Sequence, residues 1–263
     1  LLPLSIVYYT IYKIYRLFKK EKKCNIPVIC IGNVTLGGAG KTPTVIKIRK
    51  LLSNDFSNIF VLTRGYKGKA CGPLIVKKNS SFRNVGDESL LHYKYGPTCV
   101  AKNKFAGVRF SENLGCDLIL MDDGLQSVDI KKDLRILVID SNFGFGNKKL
   151  LPSGPLREKV SESINRSQLI LIIGNNKRFI ESYSFPGEKV FFAKKEISTD
   201  KIKTKNLLVF SALGDNNNFH NSLIEKGYQI KRKKEFPDHH IFKKEEIHKI
   251  LLEAKNRKLS IIC

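Results

Sequence analysis

The residues best suited to chemistry lie in one glycine-rich segment, residues 32–43, with the sequence GNVTLGGAGKTP. An apolar run at 26–31 predicts a buried strand before it, and the apolar spacing of 44–52 predicts a helix after it. Proteins hold nucleoside triphosphates in this way, because glycine N–H groups and a helix N-terminus face the phosphates. Lys41 is then expected to contact the β- and γ-phosphates, and Thr42 to bind Mg²⁺. The alternative is a glycine-rich helix start with an incidental lysine.

Two adjacent carboxylates, Asp122 and Asp123, directly follow the apolar run 118–121. An acid at the carboxyl end of a buried strand is where a phosphate-loop enzyme keeps its second Mg²⁺ contact. Ligands also collect at the strand ends of a doubly wound sheet. We therefore expect the two aspartates to hold the metal and Gln126 to orient a phosphate or a water molecule. A simple strand-to-turn exit is the alternative, since Asp-Gly is a common turn dipeptide.

Another acidic pair, Asp87 and Glu88, follows Gly86 and opens a helical run at 89–95. Local sequence is consistent with two roles for Asp87. It can be the N-cap of the helix, or it can be the carboxylate that accepts a proton from an attacking hydroxyl. Phosphoryl transfer needs little beyond positioning, charge neutralisation and such a base.

Two segments later in the chain carry further polar candidates. Residues 151–158, LPSGPLRE, place two prolines and a glycine around Arg157. They predict a stiff loop that presents this arginine to an anion, with a rigid turn and a surface arginine as the alternative.

His239 and His240 are adjacent, and two histidines are too few for a metal site. A histidine that orients or tunes a carboxylate is the better interpretation.

The elements that must position these groups alternate between strand and helix patterns. Strands are predicted at 58–63, 97–101, 117–121, 134–139 and 169–173, with a helix at 105–114. This alternation favours an α/β fold, a mostly parallel sheet of the P-loop NTPase type with helices on both faces. A charged stretch at 194–205 predicts a linker. Beyond it, 206–211, 219–227 and 228–231 predict the strand, helix and strand that start a smaller α/β domain.

The first eighteen residues predict an amphipathic helix. Apolar and tyrosine side chains alternate with Lys13, Arg16 and Lys20, and the uncharged part, residues 1–12, is too short to span a bilayer. Tyrosines and basic residues beside an apolar face fit a helix lying in a membrane surface, and a spanning anchor is a further option if residues precede it. A helix packed on the domain is the alternative. Three domains are expected: an amphipathic membrane-associated helix at 1–23, a P-loop domain at 24–196, and a small, incomplete α/β domain at 197–263.

Composition adds a strong positive charge. The formal net charge of +23 suggests a polyanionic partner, which can be nucleic acid, an acidic membrane or a phosphorylated substrate, and general lysine enrichment is the alternative. The six cysteines show no C-x-x-C spacing, so neither a zinc site nor a disulfide framework is indicated, as in a reducing cytoplasm. Because Met121 is the only methionine and the chain ends on a strand-like run, we expect a fragment at both ends.

Seven segments taken together resemble one family, the tetraacyldisaccharide 4'-kinases, which phosphorylate lipid A precursors in Gram-negative bacteria. They occur in the family's order over nearly the whole chain. The family's loop also has threonine at the position of Thr35, which explains the departure from the general G-x-x-x-x-G-K-[ST] pattern. The matching segments are 32–43, TRGY at 63–66, VGDE at 85–88, DDGLQ at 122–126, GFGN at 144–147, LPSGPLRE at 151–158 and FPDHH at 236–240.

The resemblance implies transfer of the γ-phosphoryl group of MgATP to the 4'-hydroxyl of a tetraacylated glucosamine disaccharide 1-phosphate, giving lipid IVA. It also implies an enzyme on the cytoplasmic face of the bacterial inner membrane, attached peripherally or by a single N-terminal anchor, with anionic lipid rather than nucleic acid as partner. Asp87 would be the general base, with His239 as its partner and Lys41 as the third catalytic residue. ATP would be bound by Thr35, Gly37, Gly38, Ala39, Gly40, Lys41, Thr42 and Gln126, and the metal by Thr42, Asp122, Asp123 and Glu88.

Two questions stay open at this level. Family members often carry arginines near 101–104, where this chain has Lys102 and Lys104, so the residue that clamps the transferring phosphate is one of these lysines or Arg109. A different function also fits the phosphate loop and the helix: a membrane-associated ATPase that acts on a protein partner. A basic nucleic-acid-binding module is a third reading, but no aromatic-basic motif of the usual binding folds supports it.

Overall fold

The predicted apolar runs become the strands of two separate sheets. The computed structural model describes residues 1–196, 202, 204–212, 216–237 and 240–263, with residue 218 described through its backbone only. Within these residues the chain forms two compact units, Leu1–Lys194 and Lys195–Cys263. Each unit has its own sheet and its own buried apolar clusters.

The sheet of the first unit is built from short segments that are almost wholly buried at its centre and partly exposed at its two edges. Its strands, among the described residues, are β1 (Val28–Gly32), β2 (Ile59–Thr63), β3 (Leu74–Ile75), β4 (Thr98–Val100), β5 (Leu118–Asp122), β6 (Leu134–Asp140), β7 (Leu169–Ile173) and β8 (Val190–Ala193). They lie in the order β3-β4-β2-β5-β1-β6-β7-β8. All neighbours pair in parallel except β3 and β4, which are antiparallel.

Helices cover both faces of this sheet. They are α1 (Leu2–Phe18), α2 (Lys41–Leu52), α3 (Phe82–Val85), α4 (Asp87–Tyr93), α5 (Lys104–Glu112), α6 (Val160–Arg166) and α7 (Lys177–Glu181), with a 3₁₀ turn at Gly187–Lys189. Side chains alternate along each strand, so Cys30 packs in the same cluster as Val108 of α5, and Ile31 packs in the same cluster as Val45 of α2. Burying a side chain such as Leu120 contributes about 1.5–3 kcal/mol.

The strand order reverses direction at β1, which lies between β5 and β6. Because all three strands are parallel, their carboxyl ends meet at one edge of the sheet. Ile31 of β1 is in register with Asp122 of β5, so the glycine-rich segment and the acidic pair leave the sheet side by side. In doubly wound sheets this is the position where ligands bind.

The second unit is a smaller α/β layer. Its described elements are β9 (Asn206–Ser211), α8 (Asn216–Glu225), β10 (Gln229–Glu235), α9 (Lys244–Asn256) and β11 (Ser260–Ile262). The strands are parallel in the order β10-β9-β11. Alternate residues of β9 reach opposite clusters: Leu207 packs with Leu223, and Leu208 packs with Ile250.

The predicted fold class, a mostly parallel α/β sheet flanked by helices, is confirmed, while some boundaries differ. The helix expected at 44–52 begins at Lys41, because the glycine turn ends at Gly40, which is the N-cap. The strand expected at 228–231 runs as Gln229–Glu235, and its mostly exposed lysines hid it from the apolar pattern. Of the linker predicted at 194–205, residues 197–201 and 203 lie outside the described residues.

Candidate active site

The glycine-rich segment forms a tight turn between β1 and α2. Gly37 and Gly40 have φ values of 103° and 85°, a region that side chains with a Cβ rarely adopt. Gly40 ends the turn, and Lys41 and Thr42 are the first two residues of α2. The free N–H groups of this first helical turn therefore face the space above the loop, where an anion is stabilised.

Lys41 is held over the loop by a polar side chain that sequence reasoning did not single out. Its Nζ donates to Asn33 Oδ1 at 3.1 Å and lies 3.9 Å from Asp123 Oδ2. Asn33 is buried, and its Nδ2 donates to the hydroxyl of Thr35 at 3.2 Å. The threonine in the position of the usual glycine thus orients the amide that holds the lysine.

Asp122 is at the centre of a buried hydrogen-bonded group. Its Oδ2 accepts from Thr42 Oγ1 at 3.2 Å and lies 2.8 Å from His92 Nε2. Its Oδ1 is buried and has no hydrogen-bond partner among the described residues. The two predicted Mg²⁺ positions, the hydroxyl of Thr42 and the carboxylate of Asp122, are therefore adjacent.

Asp123 has a different partner. It adopts a φ of 58°, and Arg157 Nη1 lies 2.9 Å from its Oδ1 and 3.0 Å from its Oδ2. Arg157, predicted to face an anion, is thus beside one of the site's own carboxylates. Gln126 donates to the backbone oxygen of Asn33 at 2.9 Å and to Glu158 Oε1 at 2.8 Å, so its amide holds the base of the loop.

The proline-rich segment pairs directly with the phosphate loop. Leu36 N donates to Pro155 O at 2.8 Å, and Arg157 N donates to Val34 O at 2.8 Å. Glu158, 0% exposed, accepts from Tyr12 at 2.7 Å as well as from Gln126, and its Oε2 lies 2.5 Å from Arg166 Nη2. The segment expected to be a rigid loop is therefore one wall of the site.

Asp87 and Glu88 open α4 at the same edge of the sheet. Gly86, not Asp87, is the N-cap, so the capping interpretation of Asp87 is wrong and this residue is the first of the helix. Asp87 is exposed, and its Oδ1 accepts from the N–H of Glu88 at 3.0 Å. Burial and the charge of Asp122 raise the pKa of Glu88, and the charge of Lys41 partly offsets this rise.

One basic side chain is buried near the acidic pair. Lys104, 5% exposed, starts α5, and its ammonium has no hydrogen-bond partner among the described residues. Burial lowers its pKa from 10.5 to about 8, with partial compensation from Cys30, Asp123 and Asp122. Lys102 is exposed, and Arg109 pairs with Glu112 at 3.0 Å on the surface. Of the three candidate phosphate clamps, only Lys104 is near the acidic pair.

The two histidines of the second unit are only partly covered. Residues 238 and 239 lie outside the described residues, so the pairing of His239 with Asp87 stays a prediction. His240 Nε2 lies 3.1 Å from Glu246 Oε2, and its ring stacks on Phe236 at 4.8 Å between centroids. His240 is therefore engaged within its own unit.

Helix α1 is attached to the site by one face. Ser5 donates to Leu150 O at 2.9 Å, Tyr8 donates to Arg157 O at 2.8 Å, and Tyr9 donates to Glu162. The rest of the helix is exposed, with a nearly continuous apolar surface. No helix in the described part of the chain is long and apolar enough to cross a membrane. The exposed apolar residues are Leu1, Leu2, Leu4, Ile6, Val7, Ile11, Ile14, Leu17 and Phe18.

Local sequence contained no signal for two of these contacts. His92 lies in an ordinary amphipathic helix, and nothing in its neighbours indicates a partner thirty positions away. Asn33 lay within the recognised segment, yet no pattern rule assigns it a role. A phosphate loop at a switch point, with an acid from the adjacent strand beside its threonine, defines a P-loop nucleotide-binding enzyme.

Comparisons with known proteins identify the family. The family model "Tetraacyldisaccharide-1-P 4'-kinase" matches residues 1–263. Tetraacyldisaccharide 4'-kinase of Rhodopseudomonas palustris is 34% identical over 100% of this chain and 79% of the relative, and that of Bradyrhizobium diazoefficiens is 35% identical over 90% and 72%. The crystal structure of LpxK from Aquifex aeolicus in complex with ATP superposes with a TM-score of 0.75 at 30% identity, covering 91% of this chain and 81% of that one.

The chain belongs to the tetraacyldisaccharide-1-P 4'-kinase family. It is therefore an ATP-dependent kinase of lipid A synthesis, and the resemblance stated from its seven segments is confirmed.

Proposed function

We propose that this chain transfers the γ-phosphoryl group of MgATP to the 4'-hydroxyl of a tetraacylated glucosamine disaccharide 1-phosphate, and so produces lipid IVA. The observation that carries the site assignment is the 3.2 Å hydrogen bond from Thr42 to Asp122 at the N-terminus of α2. It joins the two side chains that phosphate-loop enzymes use for the metal.

In this proposal the loop residues Thr35, Gly37, Gly38, Ala39, Gly40, Lys41 and Thr42 surround the triphosphate. Lys41, now 3.1 Å from Asn33 Oδ1, exchanges that neutral partner for the β- and γ-phosphate oxygens. This exchange is favourable because the phosphate oxygens carry negative charge, which attracts the ammonium, whereas the amide oxygen of Asn33 is neutral. Gln126 acts from behind the loop, through the backbone oxygen of Asn33.

The residues present fit Mg²⁺. Asp122 Oδ1 is buried without a partner, and the described residues contain no group of three or more His, Cys, Asp or Glu side chains placed around a metal. Mg²⁺ in kinases is held by one or two carboxylates plus substrate phosphates and water, so Thr42 and Asp122 would hold the ion, with Asp123 and Glu88 as the further proposed metal residues. The ion would neutralise charge that develops on the phosphate oxygens.

Asp87 accepts the proton of the 4'-hydroxyl in this proposal. The residue is exposed at the start of α4, where an acceptor sugar can reach it, and Glu88 beside it faces the acidic pair. His239 remains the proposed partner of Asp87. Lys104, buried near Asp122 and Asp123, is the basic group that would pair with the transferring phosphoryl group.

Helix α1 is proposed to bind the cytoplasmic face of the inner membrane peripherally. Its exposed apolar residues are flanked by Lys13, Arg16 and Lys19, a pattern that favours anionic lipid surfaces. The proposed acceptor is itself an anionic lipid. The membrane that α1 binds and the substrate that the active site binds would therefore both be apolar and negatively charged. The first compact unit would then be the catalytic domain, with α1 as its membrane-facing part.

The test is a transfer assay with [γ-³²P]ATP, Mg²⁺ and the disaccharide 1-phosphate. We expect label in the lipid, and an Asp87→Ala variant slower by about 10²–10⁴-fold, the range for loss of a general base. Asp55→Ala, on an exposed loop, is the matched control and should be unaffected. Label that appears only as free phosphate would instead support an ATPase acting on a protein partner, and an active Asp87→Ala variant would exclude Asp87 as the base.

A further inference from the structure

His92 is a buried imidazole with one hydrogen bond. It lies in α4, 1% exposed, and its Nε2 is 2.8 Å from Oδ2 of Asp122, which is 3% exposed. Its Nδ1 is buried and has no partner among the described residues. A leucine of similar volume would fill this space without an unsatisfied nitrogen, so the imidazole adds the contact to Asp122 rather than packing.

This contact determines how Asp122 is oriented. A carboxylate can only accept, so Nε2 carries the proton and donates to Oδ2. The hydroxyl of Thr42 donates to the same oxygen at 3.2 Å. With two donors on Oδ2, the carboxylate plane is fixed and Oδ1 is the oxygen that stays available to a cation.

The same bond also connects two elements of the site. Helix α4 begins with Asp87, and His92 lies five residues later on that helix. The apolar contacts of α4, through Leu90 and Tyr93, are made to a cluster with Val100 of β4. The hydrogen bond of His92 is directed instead to Asp122, the last residue of β5.

We propose that His92 is a positioning residue for phosphoryl transfer: it orients Asp122 so that Oδ1 faces Mg²⁺, and it ties the helix of Asp87 to the carboxyl end of β5. The inference rests on the proposed function for the roles of Asp87 and Asp122. Its structural part, the orientation of a divalent-cation ligand, is testable without the lipid substrate.

The test compares His92→Leu with His92→Gln, because the glutamine amide nitrogen can replace Nε2 as a donor. Mn²⁺ binding is measured by electron paramagnetic resonance with a non-hydrolysable ATP analogue bound. We expect His92→Leu to weaken Mn²⁺ affinity by about 10–100-fold, which is the usual effect of losing a residue that hydrogen-bonds to a metal ligand. His92→Gln should recover most of the lost affinity. In the transfer assay, kcat should fall for His92→Leu while KM for the lipid stays unchanged.

Leu91→Ala, on the exposed side of the same helix, is the control and should behave as the wild type. Wild-type Mn²⁺ affinity in His92→Leu would overturn the proposal. So would a folded His92→Gln protein that binds Mn²⁺ as weakly as His92→Leu. If His92→Leu does not fold, the glutamine variant alone decides: near-wild-type Mn²⁺ affinity and kcat are expected of it, and a loss of affinity of about tenfold or more would overturn the proposal. Failure of wild-type protein to label the lipid would refute the proposed function without changing the Mn²⁺ result.

Discussion

The buried ammonium of Lys104 makes a quantitative prediction about stability. The folded protein lowers the pKa of Lys104 from 10.5 to about 8, mainly through burial. Each pKa unit corresponds to about 1.36 kcal/mol, so holding this charge in the folded state costs about 3 kcal/mol near neutral pH. Lys104→Met keeps the apolar stem and removes the charge. We therefore expect this variant to be more stable than the wild type at pH 7, by about 1–3 kcal/mol.

The sign of the pH dependence follows from the direction of the shift. Below pH 8 the lysine is charged in both the folded and the unfolded chain, and the whole cost is present. Between about pH 8 and 10.5 the unfolded chain binds more protons than the folded one, so the folded wild type gains stability as pH rises. The advantage of Lys104→Met should therefore shrink across this window.

The assay is urea denaturation of wild type and Lys104→Met at pH 7 and pH 10, read as the difference between the two proteins. That difference removes the titration of the other lysines. Lys102→Met, two positions away and exposed, is the matched control and should show no such gain. If Lys104→Met is less stable at pH 7, or its advantage does not change with pH, then Lys104 is not a buried unpaired charge.

The same variant should lose activity while it gains stability. If Lys104 pairs with the transferring phosphoryl group, its removal takes away a charge-assisted hydrogen bond of about 1.5–3 kcal/mol. Phosphoryl transfer should then slow by about 10–100-fold, which the ³²P assay measures. A cost in stability that is repaid only when phosphate is present is typical of functional sites.

Two further predictions concern α1. Tyr12→Phe removes the hydroxyl that donates to the buried Glu158, so we expect a loss of about 1–3 kcal/mol in urea denaturation, whereas Tyr15→Phe, at an exposed position, should be neutral. Ile6→Asp places a charge on the exposed apolar face and should weaken cosedimentation with phosphatidylglycerol vesicles by about tenfold or more. Leu51→Asp, at another exposed apolar position, should bind vesicles as the wild type does. Equal vesicle binding by the two aspartate variants would contradict a membrane role for α1.

Much of the fold was predictable because its signals are local. The central strands of the first sheet, such as β2 and β5, are short apolar runs covered on both faces, so the runs are continuous rather than alternating. The edge strands β3 and β8 are only partly buried, and the apolar pattern did not predict them. The phosphate loop was predictable for a similar reason. The positive φ angles at Gly37 and Gly40 demand glycine at those positions, and the turn they form is encoded within a dozen residues.

The partners of the site's side chains were not predictable in the same way. Arg157 was expected to face an anion, but which anion depends on the packing of a loop 34 positions from Asp123. The same holds for His92 and Lys104. Each is a polar residue in a helix, and its burial and its neighbours become evident only when the packing of that helix on the sheet is known. The interpretation of Asp87 as the N-cap of α4 was wrong for a local reason. The N-cap position has a φ of 82°, which Gly86 adopts and an aspartate would rarely adopt.

Glu158 connects these observations. It is the most deeply buried carboxylate of the site, and its partners come from α1, from α6 and from the turn after β5. Removing any one partner leaves a buried charge short of a hydrogen bond, which is costly, so the three elements are held as one framework. Gln126 extends this framework to the backbone of Asn33, at the entrance of the phosphate loop. A membrane bound by the exposed face of α1 would therefore lie at a fixed position relative to the phosphate loop. A lipid acceptor in that membrane would reach a phosphate-binding site whose residues are already positioned.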